Sequence, residues 1–231
     1  MTIIASRLQA VKTRISEAAR AVGRRPGDIT LVAVSKTFPS KAVAEACAAG
    51  QNAFGENYAQ EGIEKIVALS GLPLEWHYIG PIQSNKTRLI AENFDWVHGI
   101  DRAKIAERLS ASRPGDKPPL QVCIQVNVSG EAGKSGVGTD AVFELAHTIM
   151  RLPRLRLRGL MAIPEPTPDT ALQRSRFRTL REVRDELVRR GVALDTLSMG
   201  MSDDLEAAIA EGATVVRVGR AIFGERGGSA G

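Results

Sequence analysis

The chain has 231 residues, which is long enough for one large hydrophobic core and too short for a second substantial domain. It is 43% hydrophobic, no apolar run approaches the roughly 18 to 20 residues that span a membrane, and the charged N-terminus lacks a signal-peptide segment, so we expect a cytoplasmic protein. The net charge of +5 gives little reason to expect a nucleic-acid partner, because acidic residues are interleaved with the basic ones over 174–190 and only 4% of the residues are aromatic.

Hydrophobic periodicity alternates between helical and strand spacing along the chain. In chain order it predicts helix 3–22, strand 31–36, helix 39–49, strand 53–54, helix 58–69, strand 74–79, helix 84–91, strand 96–98, helix 101–112, strand 120–128, helix 140–151, strand 155–163, helix 168–190, strand 196–198, helix 203–211 and strand 214–218. Eight strands alternating with helices indicate a parallel sheet, and eight is the number that closes a barrel.

The predicted fold is therefore a single (β/α)8 TIM barrel over 1–224, with an extra N-terminal helix expected across its bottom. An open, doubly wound sheet is the alternative. The last residues, 225–231, are small and polar and are predicted to form a disordered tail.

The strand over 31–36 is apolar until it ends in Lys36, followed by Thr37, Phe38 and Pro39. Ligands bind at the carboxyl ends of parallel strands, so Lys36 lies where a ligand is expected. A lysine that loses hydration at such a place becomes a better nucleophile toward carbonyl groups, which suggests a Schiff-base lysine. A strand-end lysine that simply extends into solvent is the alternative.

The predicted strand ends bring no acidic metal cluster together. His77, His98 and His147 have no carboxylate or cysteine at ligand spacing, so we interpret them as structural or surface residues. Cys47 and Cys123 are expected to be small buried residues and not a disulfide.

Residues 133–135, Gly-Lys-Ser, resemble the end of a phosphate-binding P-loop, but Val128 stands where that motif needs its first glycine. The surrounding loop, 129–138, is long and glycine-rich, which suits a mobile segment over the rim.

A better candidate for a phosphate site is Ser-Met-Gly-Met-Ser-Asp-Asp at 198–204, because Gly200 allows close backbone approach and a helix begins just after it. Gly219 follows the last predicted strand, and because it has no side chain its backbone is accessible to a ligand. In a barrel the ends of the last two strands lie side by side, so Gly219 and the run at 198–204 are expected in the same region. Asp203 and Asp204 would repel a phosphate, so we expect their carboxylates to turn back onto backbone donors.

Arg217 interrupts an apolar strand, and a buried guanidinium needs an acceptor. A pyridine nitrogen, a phosphate or a carboxylate such as Glu56 would serve. A lysine for an aldehyde, a helix terminus for a phosphate and a polar partner for a ring nitrogen are what pyridoxal 5′-phosphate (PLP) requires.

The chain also resembles the pyridoxal phosphate homeostasis proteins over nearly its full length. The matching motifs are Leu-Val-Ala-Val-Ser-Lys-Thr at 31–37, Phe-Gly-Glu-Asn at 54–57, Trp-His-Tyr-Ile-Gly at 76–80, Gln-Ser-Asn-Lys at 83–86, Arg-Gly-Leu-Met at 158–161, the run at 198–204, Arg-Val-Gly at 217–219 and Ala-Ile-Phe-Gly at 221–224.

The resemblance implies a barrel like the N-terminal domain of alanine racemase, with PLP held as an internal aldimine on Lys36 and Arg217 facing the pyridine nitrogen. The residues it implies around the phosphate are Met201, Ser202 and Gly219, and those around the ring are Asn57, Met161 and Ser198. Arg220 stands where many members have a small hydroxyl residue, so a cationic contact to the phosphate is expected in its place.

The family has no settled catalytic activity, and the resemblance implies a role in PLP and amino-acid homeostasis. A carrier or regulator is therefore predicted, with PLP-dependent apo-enzymes as possible recipients and a monomer as the expected state. A low-activity racemase or lyase is the main alternative, in which Tyr58 would approach the rim as the opposing base. A class I aldolase that uses Lys36 directly and a basic binding module are further alternatives.

Overall fold

The computed structural model describes residues 2–130 and 135–225. Eight parallel strands form a closed barrel in sequence order, which confirms the predicted TIM barrel and excludes the open sheet. The strands are β1 (Thr30–Val34), β2 (Ala53–Glu56), β3 (Glu75–Tyr78), β4 (Trp96–Ile100), β5 (Leu120–Gln125), β6 (Leu155–Met161), β7 (Thr196–Ser198) and β8 (Val215–Val218). The helices are α1 (Ile3–Ala21), α2 (Ser40–Ala48), α3 (Ala59–Ala68), α4 (Thr87–Asn93), α5 (Ala103–Ser112), α6 (Val142–Met150), α7 (Thr170–Arg189), α8 (Leu205–Ala210) and α9 (Arg220–Phe223).

Strand β1 closes the barrel because it pairs with β8 on one side and β2 on the other. Thr30 is opposite Val215 across one junction, and Val34 is opposite Gly55 across the other. Residues 31–34 of β1 are buried, as expected for a strand with barrel interior on one face and helices on the other. This arrangement brings the carboxyl ends of all eight strands to one rim.

Helix α1 is present as predicted, but its expected position across the bottom of the barrel is wrong. The helix packs against α2, α8 and α9 in the outer ring, with a buried stripe of Leu8, Val11, Ile15 and Ala19. Arg14 donates to the carbonyl oxygen of Ser202 at the rim (3.1 Å), and Arg24 donates to that of Ile209 near the end of α8 (2.9 Å). Because α9 is only four residues long, α1 fills the place beside β8 that a full eighth helix would occupy.

Strand β1 ends at Val34, two residues earlier than predicted, so Lys36 lies in the turn after the strand. Gly133 and Lys134 of the P-loop-like run, and the predicted tail beyond Glu225, lie outside the described residues. Over 2–130 and 135–225, no helix combines the length and hydropathy needed to span a membrane.

Candidate functional site

A cavity of about 820 Å³ opens at the carboxyl rim of the barrel. Six of the eight residues proposed from the sequence border it, namely Lys36, Asn57, Met201, Ser202, Arg217 and Gly219. The other two, Met161 and Ser198, are fully buried and are not among the residues that border the cavity. The rim therefore assembles in one place residues that are up to about 180 positions apart in the sequence.

Asn57 follows β2 and borders the cavity. Its Oδ1 atom is buried and has no hydrogen-bond partner. The exit of β3 lies directly against its backbone, since a Cβ on Gly80 would be 2.2 Å from the Asn57 carbonyl oxygen. A buried acceptor without a partner costs free energy, so a donor that reached this atom would bind it favourably.

The guanidinium group of Arg217 donates hydrogen bonds to two buried acceptors. Nη1 donates to Ser198 Oγ (2.6 Å) and Nη2 donates to the Ala162 carbonyl oxygen (2.9 Å). Burial lowers the pKa of Arg217 to about 10, against the attraction of Asp204, so the guanidinium remains charged at neutral pH. The side chain is thus a fixed cation at the wall of the cavity.

The suggested pairing of Arg217 with Glu56 is wrong. Glu56 instead accepts from Ser35 Oγ (2.6 Å) and from Lys65 Nζ (2.7 Å), and all three residues are buried. Burial raises the pKa of Glu56, although the hydrogen bonds from Lys65 and Ser35 oppose that rise. The sequence analysis missed Lys65, because a lysine within a helix ordinarily lies at the surface.

The predicted phosphate region surrounds Gly200, whose φ of 95° suits a glycine. Asp204 turns back onto the Met201 amide (2.6 Å), as predicted. The same expectation is wrong for Asp203, because its carboxylate pairs with the long side chain of Arg220 (2.5 Å). The Met201 amide is therefore already engaged.

Other donors border the same end of the cavity. Ser202 contributes a hydroxyl group, and Gly219 directly precedes α9, whose first two amides, those of Arg220 and Ala221, have no intrahelical partner. A Cβ at position 219 would lie 3.1 Å from the Val34 carbonyl oxygen, so glycine lets the chain pass close to β1. With Arg220 nearby, these groups are suited to an anion.

Two histidines that were interpreted as structural form a buried chain with the site. His77 and His98 lie inside β3 and β4, with His77 Nδ1 3.0 Å from His98 Nε2. His98 Nδ1 is 2.7 Å from Ser198 Oγ, which contacts Arg217, and His77 Nε2 is 2.8 Å from Glu75 Oε1. The sequence spacing held a weak signal of this contact, because the two histidines occupy adjacent strands.

Neither tyrosine is placed as an acid-base group of the cavity. Tyr58 is 57% exposed and is not among the residues that border the cavity. Tyr78 donates to the Pro81 carbonyl oxygen (3.0 Å), and burial raises the pKa of Tyr78 to about 12. The arrangement that a racemase would need is not provided by either side chain.

Both cysteines are free. Cys123 is buried beside Met161 and Trp96, as predicted, but the prediction is wrong for Cys47, which is only partly buried. Burial raises the pKa of Cys123 to about 12, so its thiol is unreactive at neutral pH. Across the described part of the chain, no group of three or more potential ligands could hold a metal ion.

Residues 6–227 match the family model described as alanine racemase, N-terminal domain. A Pseudomonas aeruginosa protein named pyridoxal phosphate homeostasis protein is 60% identical over 226 residues, 98% of this chain and 97% of that protein. Its Escherichia coli K12 namesake is 54% identical over 229 residues, 98% of each chain. The solved structure of PipY from Synechococcus elongatus with PLP bound is 37% identical, has a TM-score of 0.84, and covers 96% of this chain and 100% of that chain.

The fold and the rim cavity define a barrel of the alanine racemase N-terminal type. The chain belongs to that family and, within it, to the pyridoxal phosphate homeostasis proteins.

Proposed function

We propose that the rim cavity binds PLP and that the protein acts in PLP and amino-acid homeostasis, as a carrier or regulator without robust catalysis. The observation that carries the proposal is that Lys36, Arg217 and Asn57 all border one cavity. Relatives named pyridoxal phosphate homeostasis protein and the PLP-bound structure of PipY support it.

In this proposal Lys36 provides the covalent attachment. Its Nζ is the primary amine that would hold the cofactor, because an amine condenses with an aldehyde such as that of PLP with loss of one water molecule. Lys36 is half-buried at the cavity wall, which allows its amine to meet a ligand held there. The bond is reversible by water, as a protein that delivers the cofactor would need.

The charged guanidinium of Arg217 is proposed to face the pyridine nitrogen. Because it remains protonated, it donates a hydrogen bond but does not transfer a proton to the ring, so the bound cofactor is a weak electron sink. Asn57 Oδ1 is the proposed acceptor for a donor on the ring. Contacts of Met161 and Ser198 with the ring stay predictions, since both side chains are fully buried and neither borders the cavity.

The phosphate is proposed to lie against the Ser202 hydroxyl and the amides after Gly219. A contact with the Met201 amide requires that Asp204 first release it. Arg220 is the candidate for the cationic contact, and it would have to exchange its bond to Asp203 for one to the phosphate.

A PLP titration of the purified protein tests this function. We expect wild-type protein to develop the absorption of a lysine-bound cofactor with one site per chain, and Lys36→Ala to lose it. Lys41→Ala, which removes an exposed lysine from α2, is the matched control and is expected to behave as wild type. Equal binding by wild type and Lys36→Ala would refute the proposed attachment.

Exchange of the α-proton of an amino acid separates the carrier from the alternative of a low-activity racemase or lyase. The carrier proposal predicts no exchange above that of free PLP. Fast exchange that depends on Lys36 would favour the enzyme. Delivery to PLP-dependent apo-enzymes, a monomeric state and a cytoplasmic location stay predictions.

A further inference from the structure

The turn that carries Lys36 has an unfavourable backbone. The Ser35 carbonyl oxygen accepts from the Phe38 amide (3.0 Å), which leaves Lys36 and Thr37 at the two central positions of the turn. Thr37 has a φ of 69°, a region that β-branched residues rarely adopt. Such a conformation persists only where the surrounding structure holds it.

Lys65 of α3 holds the residue before Lys36. Its side chain is 6% exposed, and Nζ donates at 2.7 Å to the Ser35 carbonyl oxygen, to Glu56 Oε1 and to Glu61 Oε1. An ammonium group has three donors, and each of them is used here. Lys65 is therefore a bound cation with no donor left over for a ligand.

Glu61 of α3 holds the residue after Lys36. The same Oε1 atom that pairs with Lys65 also accepts from the Thr37 amide (2.5 Å). Glu61 and Lys65 lie one helical turn apart, so they share one face of a rigid element. Side chains of helix α3 are thus hydrogen-bonded to the main chain on both sides of Lys36, at Ser35 and at Thr37.

Glu56 of β2 keeps this arrangement in place. It is fully buried, and it bonds both to Lys65 and to the Ser35 hydroxyl. The Lys65 cation is consequently balanced by two carboxylates, one from the barrel wall and one from the helix.

We propose that Lys65 and Glu61 are positioning residues that hold the Lys36 turn in the conformation that directs the Lys36 amine into the cavity. This inference rests on the function proposed above, since it takes Lys36 as the point of PLP attachment. A buried ion-pair cluster that only stabilises the fold is the alternative.

The test compares Glu61→Ala with Glu61→Gln. The Glu61 side chain is 28% exposed, so its truncation to alanine leaves no deeply buried cavity. Both alanine and glutamine are uncharged, so neither variant places a charge at position 61. Alanine removes the acceptor of the Thr37 amide, whereas glutamine retains a carbonyl oxygen for it. We expect Glu61→Ala to weaken PLP binding roughly tenfold, the loss of about one charge-assisted hydrogen bond, and Glu61→Gln to stay within about threefold of wild type.

Two further measurements separate positioning from stability. In the protein without PLP, the Thr37 amide is expected to exchange with solvent faster in Glu61→Ala than in wild type or Glu61→Gln. Adding Thr37→Gly to Glu61→Ala is expected to recover most of the PLP affinity, because glycine adopts the positive φ without help.

Lys65→Met serves as the second variant, and Lys12→Met is its control because Lys12 also donates to a main-chain carbonyl, that of Gly50 at 2.9 Å, away from the rim. Lys65→Met is expected to weaken PLP binding at least as much as Glu61→Ala, and Lys12→Met to leave it unchanged. Wild-type affinity in both Glu61→Ala and folded Lys65→Met, with PLP still on Lys36, would overturn the inference. PLP that fails to attach to Lys36 in wild-type protein would instead overturn the proposed function.

Discussion

At the scale of single residues, a chain of hydrogen bonds links Glu75 to Arg217 through two histidines and Ser198. When both histidines are neutral, the donors and acceptors of this chain can be arranged in only one way. His77 Nε2 faces a carboxylate oxygen of Glu75 and must therefore carry a proton, which leaves His77 Nδ1 as an acceptor. His98 must then donate from Nε2 and accept at Nδ1, and the Ser198 hydroxyl donates to it. Ser198 Oγ is left free to accept from Arg217, which orients the guanidinium.

Nitrogen NMR of the imidazole rings checks this direction. Burial, followed by electrostatic repulsion from the neighbouring His77 and Arg217, lowers the pKa of His98 well below its ordinary value, so His98 is expected to be neutral at pH 8. Where the rings are neutral, both are predicted to be the Nε2–H tautomer. Ser198→Ala is predicted to weaken PLP binding, because it removes an acceptor that orients Arg217. A protonated Nδ1 on neutral His98 would contradict the proposed direction.

At the scale of elements, one glutamate joins α7 to α8. Glu211 follows α8, its side chain is 1% exposed, and Arg174, Arg178 and Arg181 of α7 reach it at 2.8, 3.0 and 2.9 Å. Burial opposes ionisation of this carboxyl, but the three arginines outweigh it and hold the pKa of Glu211 below its ordinary value. A carboxylate with a depressed pKa stabilises the fold above its unfolded pKa and loses that contribution as pH falls.

Glu211→Gln is therefore expected to lower the free energy of unfolding at pH 7 by about 2 kcal/mol, the range of hydrogen bonds to a buried charge. The difference from wild type should shrink between pH 7 and pH 4, because wild-type Glu211 begins to protonate in the unfolded chain near pH 4.3 and in the folded chain below that. Urea unfolding at pH 7 and at pH 4 measures this difference in unfolding free energy. Glu144→Gln, at an exposed position of α6, is the control. A pH-independent difference would count against the ionic role.

At the scale of the whole molecule, α1 completes the ring of helices. Four apolar residues of α1 are buried against neighbouring elements, and Arg14 links the helix to Glu206 and to the rim loop at Ser202. A helix that closes the ring contributes to the single core, and its loss would expose the β8 side of the barrel.

Leu8→Ala and Ile3→Ala test this position within one helix. Leu8 is 1% exposed, so its truncation is expected to cost about 2 to 5 kcal/mol of unfolding free energy. Ile3 is 70% exposed, and its truncation is expected to change stability by less than about 0.5 kcal/mol. Chemical denaturation checks both, and equal small effects would show that α1 is not part of the core.

The barrel could be predicted because strand and helix periodicities alternate eight times, and local spacing alone carries that information. The same alternation placed Lys36, Asn57 and Arg217 at one rim without any knowledge of their contacts. The position of α1 could not be predicted in this way, because periodicity identifies a buried stripe but does not say which neighbour buries it.

Pairings between side chains that are distant in the sequence could not be predicted either. The buried Lys65 pairs with Glu56 and Glu61. Arg217 donates to Ser198 and Ala162, and not to Glu56, which was one of the acceptors considered from the sequence. Such choices depend on the angles at which side chains leave adjacent strands. The chain of His77 and His98 depends in the same way on the register of β3 with β4.

The attachment of PLP to Lys36 is the central claim, and chemical reduction followed by peptide mapping tests it most directly. Protein loaded with PLP is treated with borohydride, digested and examined by mass spectrometry. We predict one stable PLP-derived mass per chain, on the peptide that contains Lys36. An unmodified Lys36 with the label on another lysine, or no label at all, would contradict the account.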